Sequence, residues 1–283
     1  MLREAVPADL GRVLEFLERR PETSMFLRSN LLAHGLEESS NPHASDLLLW
    51  EEGAALKGVF GRNNQGNLVS QCPDAPDAVW SAIADWLMGK DVVSFVGEPD
   101  QVLAGISAFG WKEDALSLNE TEPLYRLAIE DVVDPGVDIR KPNQEDIPIL
   151  QEWFTGYALE LGEEDPERAA EDAVRRAQRS VDQGTVRFMV QDGRPVCMVG
   201  TNARTPDMVQ IGGVFTPVTL RGRGYAGQAL AAYLLEFADT DVTQCILFAA
   251  SQKAARAYEK IGFKHIGHYH VTMLKAPMLQ GHQ

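Results

Sequence analysis

The chain carries one pattern twice. "LREAVPADLGRVLEFL" from Leu2 and "IRKPNQEDIPILQEWF" from Ile139 align residue by residue. Arg3 falls with Arg140 and Asp9 with Asp146, while Leu10, Val13, Phe16 and Leu17 fall with Ile147, Leu150, Trp153 and Phe154. Each stretch predicts a short strand, a turn and a helix with one apolar face. "LLLWEEGAALKGVF" from Leu47 matches "RFMVQDGRPVCMVG" from Arg187, both reading as two strands around an acidic-Gly turn. Phe109-Gly110-Trp111 matches Ile261-Gly262-Phe263. Strand–helix units in any α/β protein resemble one another, but three matches in the same order indicate two copies of one fold. The predicted class is α/β with a mixed sheet, built as two tandem domains. Asp134, Pro135 and Gly136 break regular structure just before the second copy, which sets the expected domains at residues 1–133 and 134–283.

The copies are offset by about 140 residues through the hairpin and by about a dozen more at the end. The second copy therefore holds extra residues, and that region contains "TPVTLRGRGYAGQAL", Thr216 to Leu230. The first copy has "SQCPDAPDAVWSAIADWL" there, with no Gly-rich turn, no arginine, and Asp74 and Asp77 where an anion would need donors. The first copy is expected to lack this anion site.

Gly222, Gly224 and Gly227 spell G-x-G-x-x-G, the fingerprint of a dinucleotide turn. Two details oppose that reading. In the fingerprint the glycines follow the strand almost directly, whereas here Thr216 to Arg221 intervene after the strand "MVQIGGVF". No acidic residue ends the next strand, "TQCILFAAS", to hold a ribose. A plain tight turn would explain the glycines but not Arg221 and Arg223 at a helix start, where cations oppose the helix dipole. A bound anion offsets that cost. The helix is predicted over Gln228–Asp239, and the Gly-Gly pair inside the strand predicts a bulge.

The run from Ile211 to Phe263 resembles the GCN5-related N-acetyltransferases. "VFTPVTLRGRGYAGQAL" is similar to their motif A and "SQKAARAYEKIGF" to their motif B. Several members carry a degenerate copy of the fold ahead of the active one, in agreement with the repeat. The resemblance implies two tandem acyl-CoA N-acyltransferase folds, with acetyl-CoA as co-substrate of the second. It implies that Arg221, Gly222, Arg223, Gly224, Tyr225, Ala226 and Gly227 hold the pyrophosphate, and that Val214, Phe215 and Thr216 pair with pantetheine. Ser251, Ala254 and Tyr258 fall at i, i+3 and i+7 of a helix and share one face. Ser251 stands where the family usually has asparagine, and it can still cap the helix. Tyr258 matches the tyrosine that protonates the departing thiolate, and the first copy has Ile106 there.

No carboxylate lies on "MVQIGGVF" to act as the base; Gln210 cannot take a proton, and Glu160, Glu163, Glu164 or a water chain remain. The expected activity is acetyl transfer to a primary amine of a small molecule. A non-catalytic acyl-CoA sensor is the alternative, motivated by the missing base and asparagine. With a net charge of −15 the chain repels nucleic acid, and its excess carboxylates lean toward a cationic substrate. No apolar run approaches the roughly 20 residues of a membrane span, and a cytoplasmic monomer or homodimer is expected. Cys72, Cys197 and Cys245 are far apart and predict buried reduced thiols. His265, His268 and His270 lack a third ligand at zinc spacing, so no metal is expected and that strand should face solvent or substrate. "PERAAEDAVRRAQRSV" predicts a structural helix, with substrate contacts somewhere within residues 153–179.

Overall fold

Both Arg…Asp pairs close into the same local device. In the computed structural model of the protein, which describes residues 1–281, Arg3 donates to both Asp9 oxygens at 2.7 Å, and the Val6 N–H donates to Asp9 Oδ2 at 2.9 Å. Arg140 donates to both Asp146 oxygens at 2.6 and 2.8 Å, and the Asn143 N–H donates to Asp146 Oδ2 at 2.8 Å. Each pair ties a strand end to the first turn of the following helix. The strand–helix entry is thus fixed by a fork-shaped ion pair in both copies.

The first copy runs β1 (Leu2–Glu4), α1 (Leu10–Leu17), α2 (Met25–His34), β2 (Ser45–Glu52), β3 (Ala55–Asn63), β4 (Asn67–Gln71), α3 (Asp77–Leu87), β5 (Asp91–Gly97), α4 (Pro99–Phe109) and β6 (Leu116–Ala128). The second runs β7 (Ile139–Arg140), α5 (Ile147–Glu160), α6 (Pro166–Gln183), β8 (Val186–Gln191), β9 (Arg194–Arg204), β10 (Met208–Phe215), α7 (Tyr225–Leu235), β11 (Gln244–Phe248), α8 (Gln252–Glu259) and β12 (Lys264–Leu279). The aligned positions are buried alike: Val13, Phe16 and Leu17 on α1, and Leu150, Trp153 and Phe154 on α5. Asp192 and Gly193 both take positive φ in the β8–β9 turn, as a tight hairpin requires. Gly110 and Gly262 take positive φ after α4 and α8, and the following Trp111 and Phe263 are buried.

The chain divides into two compact units, Met1–Glu122 with the segment from His268 onward, and Pro123–Gly267. In the first, the strand order is β1-β2-β3-β4-β5-β12-β6; in the second it is β6-β11-β10-β9-β8-β7. Each sheet is mixed: β4–β5 and β10–β11 are parallel, while β1–β2, β2–β3, β3–β4, β5–β12, β6–β11, β9–β10, β8–β9 and β7–β8 are antiparallel. This division differs from the boundary at 133/134. Residues 124–128 of β6 pair with β11, so the end of the first copy is built into the second unit. The C-terminal strand returns the exchange, pairing His270–Leu279 with β5. Asp134-Pro135-Gly136 marks only the loop where the sequence repeat restarts, with Gly136 at φ +64.

The first unit packs Phe60, Trp80, Phe95 and Phe109 as an aromatic core, and the second centres on β9, β10, β11 and α7. No described helix is long and apolar enough to cross a membrane.

The Arg3 hydrogen bonds hold the Asp9 carboxyl down to about 2, against the desolvation that raises it. A depressed carboxyl contributes stability that is fully present above its unfolded value and is lost as pH falls through its folded one. Asp9→Asn is therefore expected to cost about 1–2 kcal/mol at pH 7. The deficit relative to wild type should shrink steadily between about pH 4 and pH 2. Urea denaturation across that range measures it, and a deficit independent of pH would contradict the ion-pair account.

Candidate active site

The site starts where two parallel strands part. β10 pairs with β11 only from Met208–Ile211 to Gln244–Leu247, yet β10 continues to Phe215. On its other side the β9–β10 register shifts between Gln210 and Ile211 and again between Gly212 and Phe215. The Gly-Gly pair sits in that irregular stretch. Gly213 has φ +65, and a Cβ there would meet Arg176 Nη2 at 3.1 Å; a Cβ on Gly212 would collide with the Asn202 side chain. The β10 edge from Gly212 to Phe215 thus lies outside the β11 ladder. Its backbone groups are placed to pair with an extended ligand in the position of a strand.

After β10 the chain makes a short 3-10 turn at Val218–Leu220 and enters the glycines. Gly222 and Gly224 both take φ +82, a conformation that favours glycine, and Gly224 leads directly into α7 with no side-chain cap. The first-turn N–H groups of Tyr225, Ala226 and Gly227 therefore point out of the helix end as donors for an anion. The helix begins three residues earlier than the predicted Gln228, because the glycines form its cap rather than a separate loop. Arg221 is fastened beside this end: Nε donates to Thr216 O at 2.8 Å, Nη2 pairs with Glu160 Oε1 at 2.5 Å, and the guanidinium lies 5.7 Å from the Phe215 ring centre. The Tyr225 ring packs with the core and its hydroxyl donates to Gln191 at the core's edge.

α8 supplies the opposite wall. Ser251 caps it, its hydroxyl oxygen accepting the Ala254 N–H at 3.2 Å. Tyr258 lies two turns along the same face, 8% exposed, with its ring 6.0 Å from Phe263. One cavity of about 1040 Å³ is lined by the splayed strand edge, the start of α7 and the Ser251–Tyr258 face. Every predicted site residue lines it except Arg223, which is exposed. Two left-handed glycines flank Arg223, so the turn places its side chain outside the cavity.

Residues 147–263 match the sequence model of the acetyltransferase (GNAT) family. That segment is a GNAT-family domain. No curated protein matches it by sequence. The GNAT fold extends over the whole chain in solved structures. A GCN5-related N-acetyltransferase from Sphaerobacter thermophilus superposes with TM-score 0.59 at 14% identity, covering 100% of this chain and 97% of that one. A tandem GNAT protein from the clavulanic acid biosynthesis pathway gives 0.57 at 13% identity, covering 98% and 100%. A Drosophila protein gives 0.63 at 12% identity, covering 97% and 98%. At these identities the likeness is one of fold.

The structure gives the residues considered as a base or a nucleophile other tasks. Glu160 serves as the counter-ion of Arg221. Glu163 accepts the Asp165 N–H and lies 3.6 Å from Arg168. Gln210 is buried, donates to Ile211 O at 2.7 Å and does not line the cavity. Glu160 is thus the carboxylate at the cavity wall, and it is held as an ion pair. Cys72, Cys197 and Cys245 are buried and unbridged. Burial pushes the first two thiols up to about 12 and the third well above its ordinary value, which leaves none as a nucleophile. Among the described residues no cluster of three or more His, Cys, Asp or Glu is placed to hold a metal.

His265 and His268 are exposed, as expected of a solvent- or substrate-facing strand, but His270 departs from that expectation. It is 3% exposed and hydrogen-bonded at 2.8 Å to both Thr121 Oγ1 and Asn119 Oδ1. The reason is that β12 lies inside its sheet, between β5 and β6, rather than on an edge.

Proposed function

We propose that the protein is an acetyl-CoA-dependent N-acetyltransferase that moves an acetyl group to a primary amine of a small molecule. The observation that carries this is the single cavity joining an uncapped helix N-terminus, an unpaired strand edge and the Tyr258 face. Its volume of about 1040 Å³ is at the top of the range of roughly 300–1,000 Å³ for ligand pockets, as a long cofactor needs. The N–H groups of residues 225–227, with Arg221, are the donors for a pyrophosphate. The edge of β10 at Val214–Thr216 is the partner for an extended amide chain, and Ser251 and Ala254 border it from α8. Bound there, acetyl-CoA supplies an acyl thioester. The Val214 or Phe215 N–H stands to donate to the oxyanion. The Tyr258 hydroxyl supplies the proton that the thiolate sulfur takes as the carbon–sulfur bond breaks and the carbon–nitrogen bond forms. With Glu160 engaged by Arg221, the proton shed by the amine leaves through water. A tyrosine among the lining residues favours turnover over simple binding, and the acceptor is a small amine with no role for nucleic acid or a membrane.

Isothermal titration of the full chain with acetyl-CoA is expected to show one site, occupied by the second unit. Thiol release with a panel of primary amines should follow. Absence of heat with acetyl-CoA would reject the reading outright, and binding without thiol release from any amine would reduce the protein to a CoA-binding module.

A further inference from the structure

α6 is a strongly amphipathic helix that buries Ala169, Ala173, Ala177 and Ser180. Arg176 lies three residues after Ala173 and four before Ser180, so it falls on that buried stripe. Its guanidinium is stacked 4.4 Å from the Phe154 ring and 5.4 Å from the Tyr157 ring, and is only partly exposed. Burial pushes its pKa down, Tyr157 pushes it back up, and Arg179 adds to the lowering. Among the described residues, no carboxylate pairs with it; the nearest ion pairs of the helix use Arg168 and Arg175. Nη2 rests against Gly213, at the bulge where β10 leaves β11, and both Gly213 and Tyr157 line the cavity.

A desolvated cation without a counter-charge lowers stability, and aromatic faces offset only part of that. Such a group beside a cavity is a candidate contact for an anion from outside the protein. The phosphates of the co-substrate are already provided for at the start of α7, with Arg221 beside them. The bulge lies instead next to Val214, where the acetyl group is to be transferred.

We propose that Arg176 binds the carboxylate of the amine acceptor, which makes the acceptor a small amino acid rather than a neutral amine or a polyamine. The inference rests on the acetyl-transfer reading of the same cavity. A guanidinium presents a planar fork that matches a carboxylate, and its place beside the transfer point leaves only a few bonds between carboxylate and amine. The net charge of −15 favours cations in bulk, but the local charge at the bulge is positive.

Matched probes that differ only in the carboxylate decide the matter: the common L-amino acids and their carboxamides. Saturation-transfer NMR with CoA present reads binding, and thiol release with acetyl-CoA reads turnover, for the full chain and its Arg176→Met and Arg176→Lys variants. At least one amino acid should exceed its amide by about tenfold or more in binding and in kcat/KM. Arg176→Met should erase that preference, with acetyl-CoA affinity within about twofold of wild type and a melting temperature no lower. Arg176→Lys should keep part of the preference. Amides performing as well as acids, no amino acid binding, or a preference that survives in Arg176→Met would each overturn the assignment. So would an Arg176→Met protein that melts well below wild type and loses acetyl-CoA too, since that marks a structural residue. Failure of acetyl-CoA to bind wild type rejects the proposed function instead, while the NMR comparison still decides Arg176.

Discussion

Arg221→Glu is expected to weaken acetyl-CoA binding at least about 100-fold, a loss of about 2.7 kcal/mol. Two effects combine. The variant removes a charge-assisted contact to phosphate, worth about 1.5–3 kcal/mol by itself. It also places a second carboxylate beside Glu160, directly at the end of α7 where an anion must sit. Because Arg221 and Glu160 are both partly solvent-exposed, folding stability should change little. Glu160→Gln should act in the opposite direction. In the ligand-free protein the Glu160 carboxylate occupies the arginine that the phosphates need. Releasing it should tighten acetyl-CoA by about 1.4- to fivefold, the size of an exposed ion pair of about 0.2–1 kcal/mol. Titration calorimetry reads both variants. Unchanged affinity in Arg221→Glu would remove the loop from the site altogether, and weaker binding in Glu160→Gln would show that the carboxylate supports the loop rather than competing with its ligand.

What the sequence disclosed and what it hid follow from how local each feature is. The repeat was legible because its marks are short-range: Arg140 and Asp146 are six residues apart, and the turn glycines impose their φ values within one residue. The anion loop was legible for the same reason, since glycines, arginines and the helix start are contiguous. The start of α7 was read three residues late because glycine is a poor helix former, and only the observed cap shows Tyr225 to be the first helical residue. Long-range choices were out of reach. Nothing near Glu160 announces a partner sixty-one positions away, although a glutamate at the last position of a helix, where the dipole opposes it, is a reasonable place to look for a cation. Arg176 carries a signal that periodicity does supply: a charge on the apolar stripe of an amphipathic helix. The exchange of β6 and β12 between the two units leaves no local trace, because the strands they pair with lie far away in sequence.

Tyr258→Phe isolates the acid. Phenylalanine keeps the ring that packs near Phe263 and removes only the hydroxyl, so acetyl-CoA affinity should stay near wild type. General acid catalysis contributes roughly 10²–10⁴-fold, and kcat is expected to fall by about 10²–10³, or about 2.7–4 kcal/mol. Tyr258→Ala would confuse the result, because emptying a buried aromatic position costs about 3–5 kcal/mol of stability. The role as acid makes a sharper demand than a rate loss. A thiolate of low pKa leaves without a proton, so an acetyl thioester with a more acidic thiol should narrow the gap between Tyr258→Phe and wild type. A gap that stays the same with both donors would assign Tyr258 to positioning the acyl group, and transfer of the proton would have to come from water in the cavity.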